Sequence, residues 1–140
     1  MTAGPERALW LRRAVATVVR LVPPGRVVAY GDIAELLGAG PRQVGRIMAT
    51  GPAPDEEPVP WWRVTNAAGR LPPHLTDEAV ACWREEGTTL ARDGRGAAIR
   101  LRRADLPALA GAAEAALGPL PGAADTVPDH RRGGRRADCT

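Results

Sequence analysis

The chain of 140 residues contains no lysine and no phenylalanine, and its single tyrosine is Tyr30. All nineteen basic residues are therefore arginine, a bias that genome composition alone can produce and that carries no functional reading by itself. No apolar run reaches the roughly 18 residues that a membrane helix needs. Leu9 to Val22 is apolar but interrupted by Arg12, Arg13 and Arg20. The start, Met1 to Arg7, is short and polar with no signal-peptide core behind it, so a cytoplasmic protein without membrane contact is expected. The two cysteines, Cys82 and Cys139, lack zinc spacing and, in a reducing compartment, no disulfide is expected. Cys82 reads as a small buried hydrophobe. His74 and His130 are far apart. With no paired metal ligands, no phosphate-cradling glycine loop and no Ser-His-Asp arrangement, neither a metal nor another cofactor is expected.

What is present is enough for one domain with a modest core, at 44% hydrophobic residues. The net charge is +3 and the pI about 9.6, a balance that permits a polyanionic partner without proving one. Against the scarcity of aromatics, the run Pro60-Trp61-Trp62-Arg63-Val64 stands out. Adjacent tryptophans on a strand would point to opposite faces, one inward and one toward a wall or pocket. The plainer alternative is that both are core or rim aromatics.

Arg7 to Val22 reads as an amphipathic helix, with Leu11, Val15, Val18 and Val22 on one face. Pro23-Pro24-Gly25 stops it. Val27 to Tyr30 reads as an extended connector. Gly31 to Leu37 is a second helix, with Asp32 in its first turn and Ile33, Leu36 and Leu37 inward. Pro41 opens a third helix, to Ala49. On it Val44, Ile47 and Met48 share one side, and Arg42, Gly45, Arg46 and Ala49 the other. A bare, glycine-bearing face beside guanidiniums lets a phosphate backbone come close. Helix, tight turn, helix is the helix-turn-helix pattern. A solvated basic face on an ordinary helical hairpin is the alternative.

Thr50 to Val59 is a loop, Asn66 to Gly69 a turn, and Pro72-Pro73-His74 a stiff extended segment. Thr76 reads as the N-cap of a fourth helix running to Glu86, with Ala79, Val80 and Trp83 inward and Gly87 as its stop. Arg92 to Gly96 is a turn. The alternation of Ile99 and Leu101 with Arg100 and Arg102 predicts a half-buried strand in a small hairpin. Residues 7–106 form the expected domain. Residues 107–140 form an Ala/Gly/Pro/Arg-rich extension with a helical turn or two over 106–117, then disorder from Gly118 to Thr140, a stretch that includes the run Arg131 to Arg136.

Four segments, in order, carry a resemblance. The run Val22-Pro23-Pro24-Gly25-Arg26-Val27-Val28-Ala29-Tyr30-Gly31-Asp32-Ile33-Ala34 resembles the opening of the alkylguanine-DNA alkyltransferase C-terminal domain. Arg42-Gln43-Val44-Gly45 resembles its third helix, and Glu85-Glu86-Gly87 its glutamate-glycine after the last helix. Pro60-Trp61-Trp62-Arg63-Val64 falls where those enzymes carry Pro-Cys-His-Arg-Val. The likeness spans about Leu11 to Leu101. It implies a mainly α fold with a small β element, a winged-helix-like helix-turn-helix DNA-binding domain.

Trp61 stands at the position of the nucleophilic cysteine, and that substitution marks the alkyltransferase-like proteins. The resemblance implies a monomer that binds double-stranded DNA containing O6-alkylguanine, flips the base without dealkylating it, and flags it for nucleotide excision repair proteins. It implies that Tyr30 helps rotate the nucleotide, that Arg42 fills the vacated stack, and that Gln43, Gly45 and Arg46 share the helix in the minor groove. The lesion pocket would draw on Trp61, Trp62, Arg63, Val64, Gly69, Leu71 and His74. An indole nitrogen donates hydrogen bonds but is no nucleophile, so no alkyl transfer is expected.

Three departures stand out. Trp62 replaces a histidine, Gly51 replaces an asparagine of an Asn-Pro pair, and His74 falls where some members carry arginine. They motivate an alternative, a helix-turn-helix DNA-binding module without lesion preference. A third reading, a residual enzyme using Cys82, would need that thiol to act from a helix away from the motif.

Overall fold

The computed structural model describes residues 4–52 and 55–121. The expectations for residues 122–140, including the arginine-rich end, His130 and Cys139, lie outside the described residues.

Helix α1 (Gly4–Leu21) buries Leu11, Val15 and Val18, with Val22 just past its end. The stripe is wider than the expected four residues, since Ala14 and Val19 are also inside. The Pro-Pro-Gly turn follows, and Gly25 takes the left-handed φ of +86° that a Cβ would strain.

Val27 to Tyr30 is more than a connector. Strand β1 (Val28–Ala29) pairs in parallel with β2 (Val64–Thr65), Val28 opposite Val64 and Ala29 opposite Thr65. All four residues are buried, so the backbone groups there must find partners within the protein, and the ladder supplies them. The same segment is bracketed on its other side. Val27 donates to the Arg102 carbonyl and accepts from the Ala104 amide.

Helix α2 (Tyr30–Leu37) starts where Asp32 accepts a hydrogen bond from the Ala29 amide at 2.8 Å. Gly38, at φ +67°, ends it. After Ala39 and Gly40, α3 (Pro41–Thr50) begins with its proline at the first position and packs across α2.

The Trp-Trp segment is no strand. Trp61–Arg63 forms a single 3-10 turn, leading straight into β2. Helix α4 (Pro73–Glu86) starts three residues before the expected cap. Proline is tolerated in a first turn, where its missing N–H has no partner to lose, so Pro72-Pro73 opens the helix rather than delaying it. Thr76 is thus inside the helix, and its hydroxyl donates back to the Pro72 carbonyl at 3.2 Å.

The expected strand at 99–102 is instead a short helix, α5 (Ile99–Arg102). Ile99 is buried and Leu101 is 69% exposed. Residues two apart share a strand face but lie on nearly opposite sides of a helix, which separates the pair. The hairpin is smaller and earlier, closed by an antiparallel bridge between Leu90 and Ala97.

Helix α6 (Leu106–Leu117) is three turns long, capped by Asp105 accepting from the Ala108 amide. It packs on α1 and places Leu109 and Ala113 in the main core.

The core has two parts. One gathers α1, α2, α3 and α6 around Leu11, Val15, Ile33, Leu37 and Val44. The other gathers Val27, Ala29, Ala79, Trp83 and Ile99 beneath the Trp61 turn. Val28 faces the first and its neighbours the second, because successive strand side chains alternate. Among the described residues no helix is long and apolar enough to cross a membrane.

Candidate nucleic-acid interface

Helix α3 turns Val44 fully inward and leaves Arg42, Gln43 and Arg46 exposed, as the 3.6-residue period requires. Gln43 has a local task as well: its side-chain oxygen accepts from the Gly40 amide at 3.5 Å. At Gly45 no heavy atom lies within 4 Å of where a Cβ would sit. No neighbour inside the protein excludes a side chain there.

Directly beside this face lies a cavity of about 580 Å³. Tyr30 comes from α2, and Gly45, Met48 and Ala49 from α3. The loop after α3 contributes Gly51, Pro52, Glu56, Pro58 and Val59. Trp61, Val64, Leu71, Pro72, His74 and Leu75 complete it. The lining is mostly apolar with a few polar groups, the ordinary make-up of a small-molecule or base pocket. Burial raises the Tyr30 phenol above its ordinary value, so it enters the cavity neutral.

The 3-10 turn sends its two indoles different ways. Their rings meet edge to face, 5.6 Å apart at 83°. Both pack against the second core, but of the two Trp61 also borders the cavity. Trp83, completely buried on α4, donates its indole N–H to the Trp62 carbonyl at 2.7 Å and so fixes the turn from below.

Arg63 also turns away from the cavity. Its guanidinium grips both Glu86 oxygens, at 3.1 and 2.6 Å, and donates to the Val22 carbonyl at 2.8 Å. Both side chains are largely buried, 13% and 14% exposed. Burial alone would raise the Glu86 pKa. The hydrogen bonds from Arg63 and the Gly25 amide, with the Arg63 charge, outweigh it and hold the carboxyl below its ordinary range. The Trp62 indole nitrogen lies close enough to favour the same charge but forms no well-aligned hydrogen bond. This pair ties the Trp61 turn to the end of α4 and to the Pro-Pro-Gly turn.

Gly69 sits at φ +82°, and a Cβ there would overlap the Ala97 carbonyl. Its own carbonyl accepts from the Ala97 amide at 2.8 Å. Of the residues expected in the pocket, the fold thus brings Trp61, Val64, Leu71 and His74 to the cavity wall. Trp62, Arg63 and Gly69 stand behind it as supports, because each spends its contacts on α4 or on the hairpin. Tyr30 and Gly45 join the wall from the DNA-facing set, while Arg42, Gln43 and Arg46 lie on the open face of α3.

Met48, Val59 and Leu75 also line the cavity without having been singled out from the sequence. Each looks like an ordinary core residue, and only the fold brings them to one space. Cys82 lies on α4 outside the lining. Burial, then the charges of Glu78, Glu85 and Glu86, raise its pKa and keep the thiol protonated. A protonated thiol is a poor nucleophile, so nothing supports alkyl transfer to Cys82.

A helix-turn-helix with a bare third-helix face, adjoining an aromatic-walled cavity, defines a class of DNA-binding domain. Residues 10–90 match the family described as 6-O-methylguanine DNA methyltransferase, DNA binding domain, and the chain belongs to that family. It has the mainly helical fold with a small two-stranded sheet of the alkyltransferase C-terminal type, and is an alkyltransferase-like protein.

Among relatives, the DNA base-flipping protein of Thermus thermophilus is 42% identical over 65 residues, 46% of this chain and 43% of that one. Those of Vibrio parahaemolyticus and Escherichia coli are 36% and 38% identical over 59 and 56 residues, 41% and 39% of this chain. The chain spans about half the length of these relatives, 57% and 42% of the last two. The crystal structure of S. pombe Atl1 in complex with damaged DNA containing O6-carboxymethylguanine superposes with a TM-score of 0.51. It is 28% identical, and the match covers 71% of this chain and 92% of that one.

Proposed function

We propose that this protein binds double-stranded DNA at an O6-alkylguanine, turns the damaged nucleotide into the cavity beside α3, and holds it there without transferring the alkyl group. It acts as a cytoplasmic monomer and flags the lesion for nucleotide excision repair. The observation that carries the reading is the cavity itself. It is lined by Gly45 and Ala49 of α3 and by Trp61, which the resemblance aligns with the family's cysteine.

The chemistry is consistent from atom to atom. Extruding a base costs a few kcal/mol of stacking and pairing, least for a damaged pair. An apolar aromatic wall offsets part of that cost by taking up the alkyl group and a base face. Arg42 is exposed on the first turn of α3 and free of a protein hydrogen bond among the described residues, which suits a side chain that fills the vacated stack. Tyr30, a neutral phenol at the cavity edge, suits a donor that turns the nucleotide at its phosphate. Trp61 offers no electron pair able to attack an O-alkyl carbon.

Fluorescence anisotropy with two matched duplexes, one carrying a single O6-methylguanine, tests the reading at two salt concentrations. A preference for the modified duplex that persists at higher salt is expected, since phosphate contacts are common to both and weaken together. Equal, salt-sensitive binding of the two would replace the reading with the alternative, a DNA-binding module lacking lesion preference. Arg42→Ala should weaken binding of the modified duplex most, and unchanged affinity for it would remove its role.

A further inference from the structure

The cavity wall formed by the loop after α3 has an unusual means of support. Residues 51–60 contain four prolines, Pro52, Pro54, Pro58 and Pro60, so the loop has few amides with which to hold itself together. Its carbonyls are held from α1 instead. Arg12 donates to the Gly51 carbonyl from Nε and Nη2 at 3.3 and 3.1 Å, and from Nη2 to the Pro52 carbonyl at 3.0 Å. One helix turn-pair further on, Arg20 donates to the Glu57 carbonyl at 2.6 Å.

Arg12 is well placed for this. Leu11 before it and Val15 after it are buried in the main core, which fixes the helix that carries it. The carbonyls it grips follow the end of α3, where Gly51 at φ +85° donates its own amide to Ile47. That is the negative end of the helix dipole, and a guanidinium complements it. Gly51 and Pro52 both line the cavity. Arg12 itself does not.

We infer that Arg12 is a positioning residue for lesion discrimination: it clamps the Gly51–Pro52 wall to α1 and so keeps the cavity formed in register with the DNA-facing helix. The lesion rests on the function proposed above; the clamp does not. Arg12 lies outside the cavity lining and acts through the wall. Its effect is to hold the wall ready, so that a flipped nucleotide need not order the loop on entry.

Two variants and two measurements test this on the full chain. Arg12→Ala removes the clamp, and Arg12→Lys keeps the charge but cannot fork across two carbonyls. In Arg12→Ala the preference for the O6-methylguanine duplex over the plain one should fall about tenfold, the scale of a lost charge-assisted contact. Plain-duplex affinity should stay within about twofold, because the α3 face is unaltered. Arg12→Lys should fall between. Hydrogen exchange is the second measurement. The Gly51 amide, which donates to the Ile47 carbonyl, should exchange about tenfold faster in Arg12→Ala, while amides of α1 and α2 keep their protection. A parallel loss of affinity for both duplexes with an unchanged ratio would overturn the inference, as would unchanged exchange at Gly51. Should the unsubstituted protein show no preference, the proposed function fails, and hydrogen exchange alone still decides whether Arg12 holds the wall.

Discussion

Arg63 and Glu86 show how a residue of the signature motif can be indispensable without touching the pocket. The pair is bidentate and mostly shielded from water, with the Val22 carbonyl as a further partner of Arg63 and the Gly25 amide of Glu86. Removing one member of such a pair strands the other, at a cost of about 3–5 kcal/mol. Arg63→Ala is therefore expected to lower the denaturant midpoint strongly, and a change below about 1 kcal/mol would contradict the account. The same pair sets an acid limit. Folding lowers the Glu86 pKa from its ordinary value near 4.5, so the unfolded chain binds the proton more readily than the folded one. Its contribution is complete above that ordinary value and is lost as pH falls through the lower folded value. Stability measured from pH 6 down to about pH 3 should fall more steeply in the unsubstituted protein than in Glu86→Gln. Gly69 is the second residue whose part is support. With a left-handed φ and the Ala97 carbonyl against its α-carbon, Gly69→Ala should cost more than the ~1 kcal/mol of backbone strain alone, readable as a lower melting temperature.

At the level of the element, α3 carries opposing demands. Its inner side needs only Val44 and partial burial of Ile47 and Met48 to seat it on α2. Its outer side keeps a glycine that folding does not require, since a methyl at Gly45 would meet nothing. Alanine is better than glycine in a helix interior by roughly 0.5–1 kcal/mol. Gly45→Ala is thus expected to raise thermal stability slightly while weakening DNA binding, because the methyl stands where the duplex would approach. Higher stability with undiminished DNA affinity would show that close approach at Gly45 plays no part. Helix α4 serves the same site from the opposite side: Trp83 holds the Trp62 carbonyl, Glu86 holds Arg63, and His74 in its first turn reaches the cavity edge.

For the whole molecule, the cavity lies where separate parts of the chain meet. Helices α2 and α3, the loop to Trp61, β2 and the start of α4 all contribute, and α1 braces the loop from behind. Helix α6 closes the far side of α1, with Leu109 only 4% exposed. Leu109→Ala should cost about 2–5 kcal/mol, the range for a buried leucine, and should lower stability without changing the ratio of affinities for damaged and plain DNA. A changed ratio would mean that α6 reaches the site through α1.

Much of this was determined along the chain itself. The 3.6-residue stripes of α1 and α3, the Pro-Pro-Gly stop, the Gly38 and Gly87 ends and the bare Gly45 face are local consequences of side-chain period and backbone freedom. The ordered motifs around Tyr30, Arg42 and Trp61 also named the family. Tertiary structure alone decided the rest. The two-residue strands exist because Val28 and Val64 meet across the core, 36 positions being no obstacle once both are buried in parallel register. The Ile99 segment closes into a helical turn, with the Leu101 and Arg102 amides both donating to the Ala98 carbonyl, and its last carbonyl, that of Arg102, accepts from the Val27 amide. Above all, the motif Trp61-Trp62-Arg63 was split between pocket and support by a 3-10 turn, whose direction was set by Trp83 and Glu86 more than twenty residues away. A side chain's identity can be read in isolation, but which way it faces depends on the partners that folding brings to its backbone.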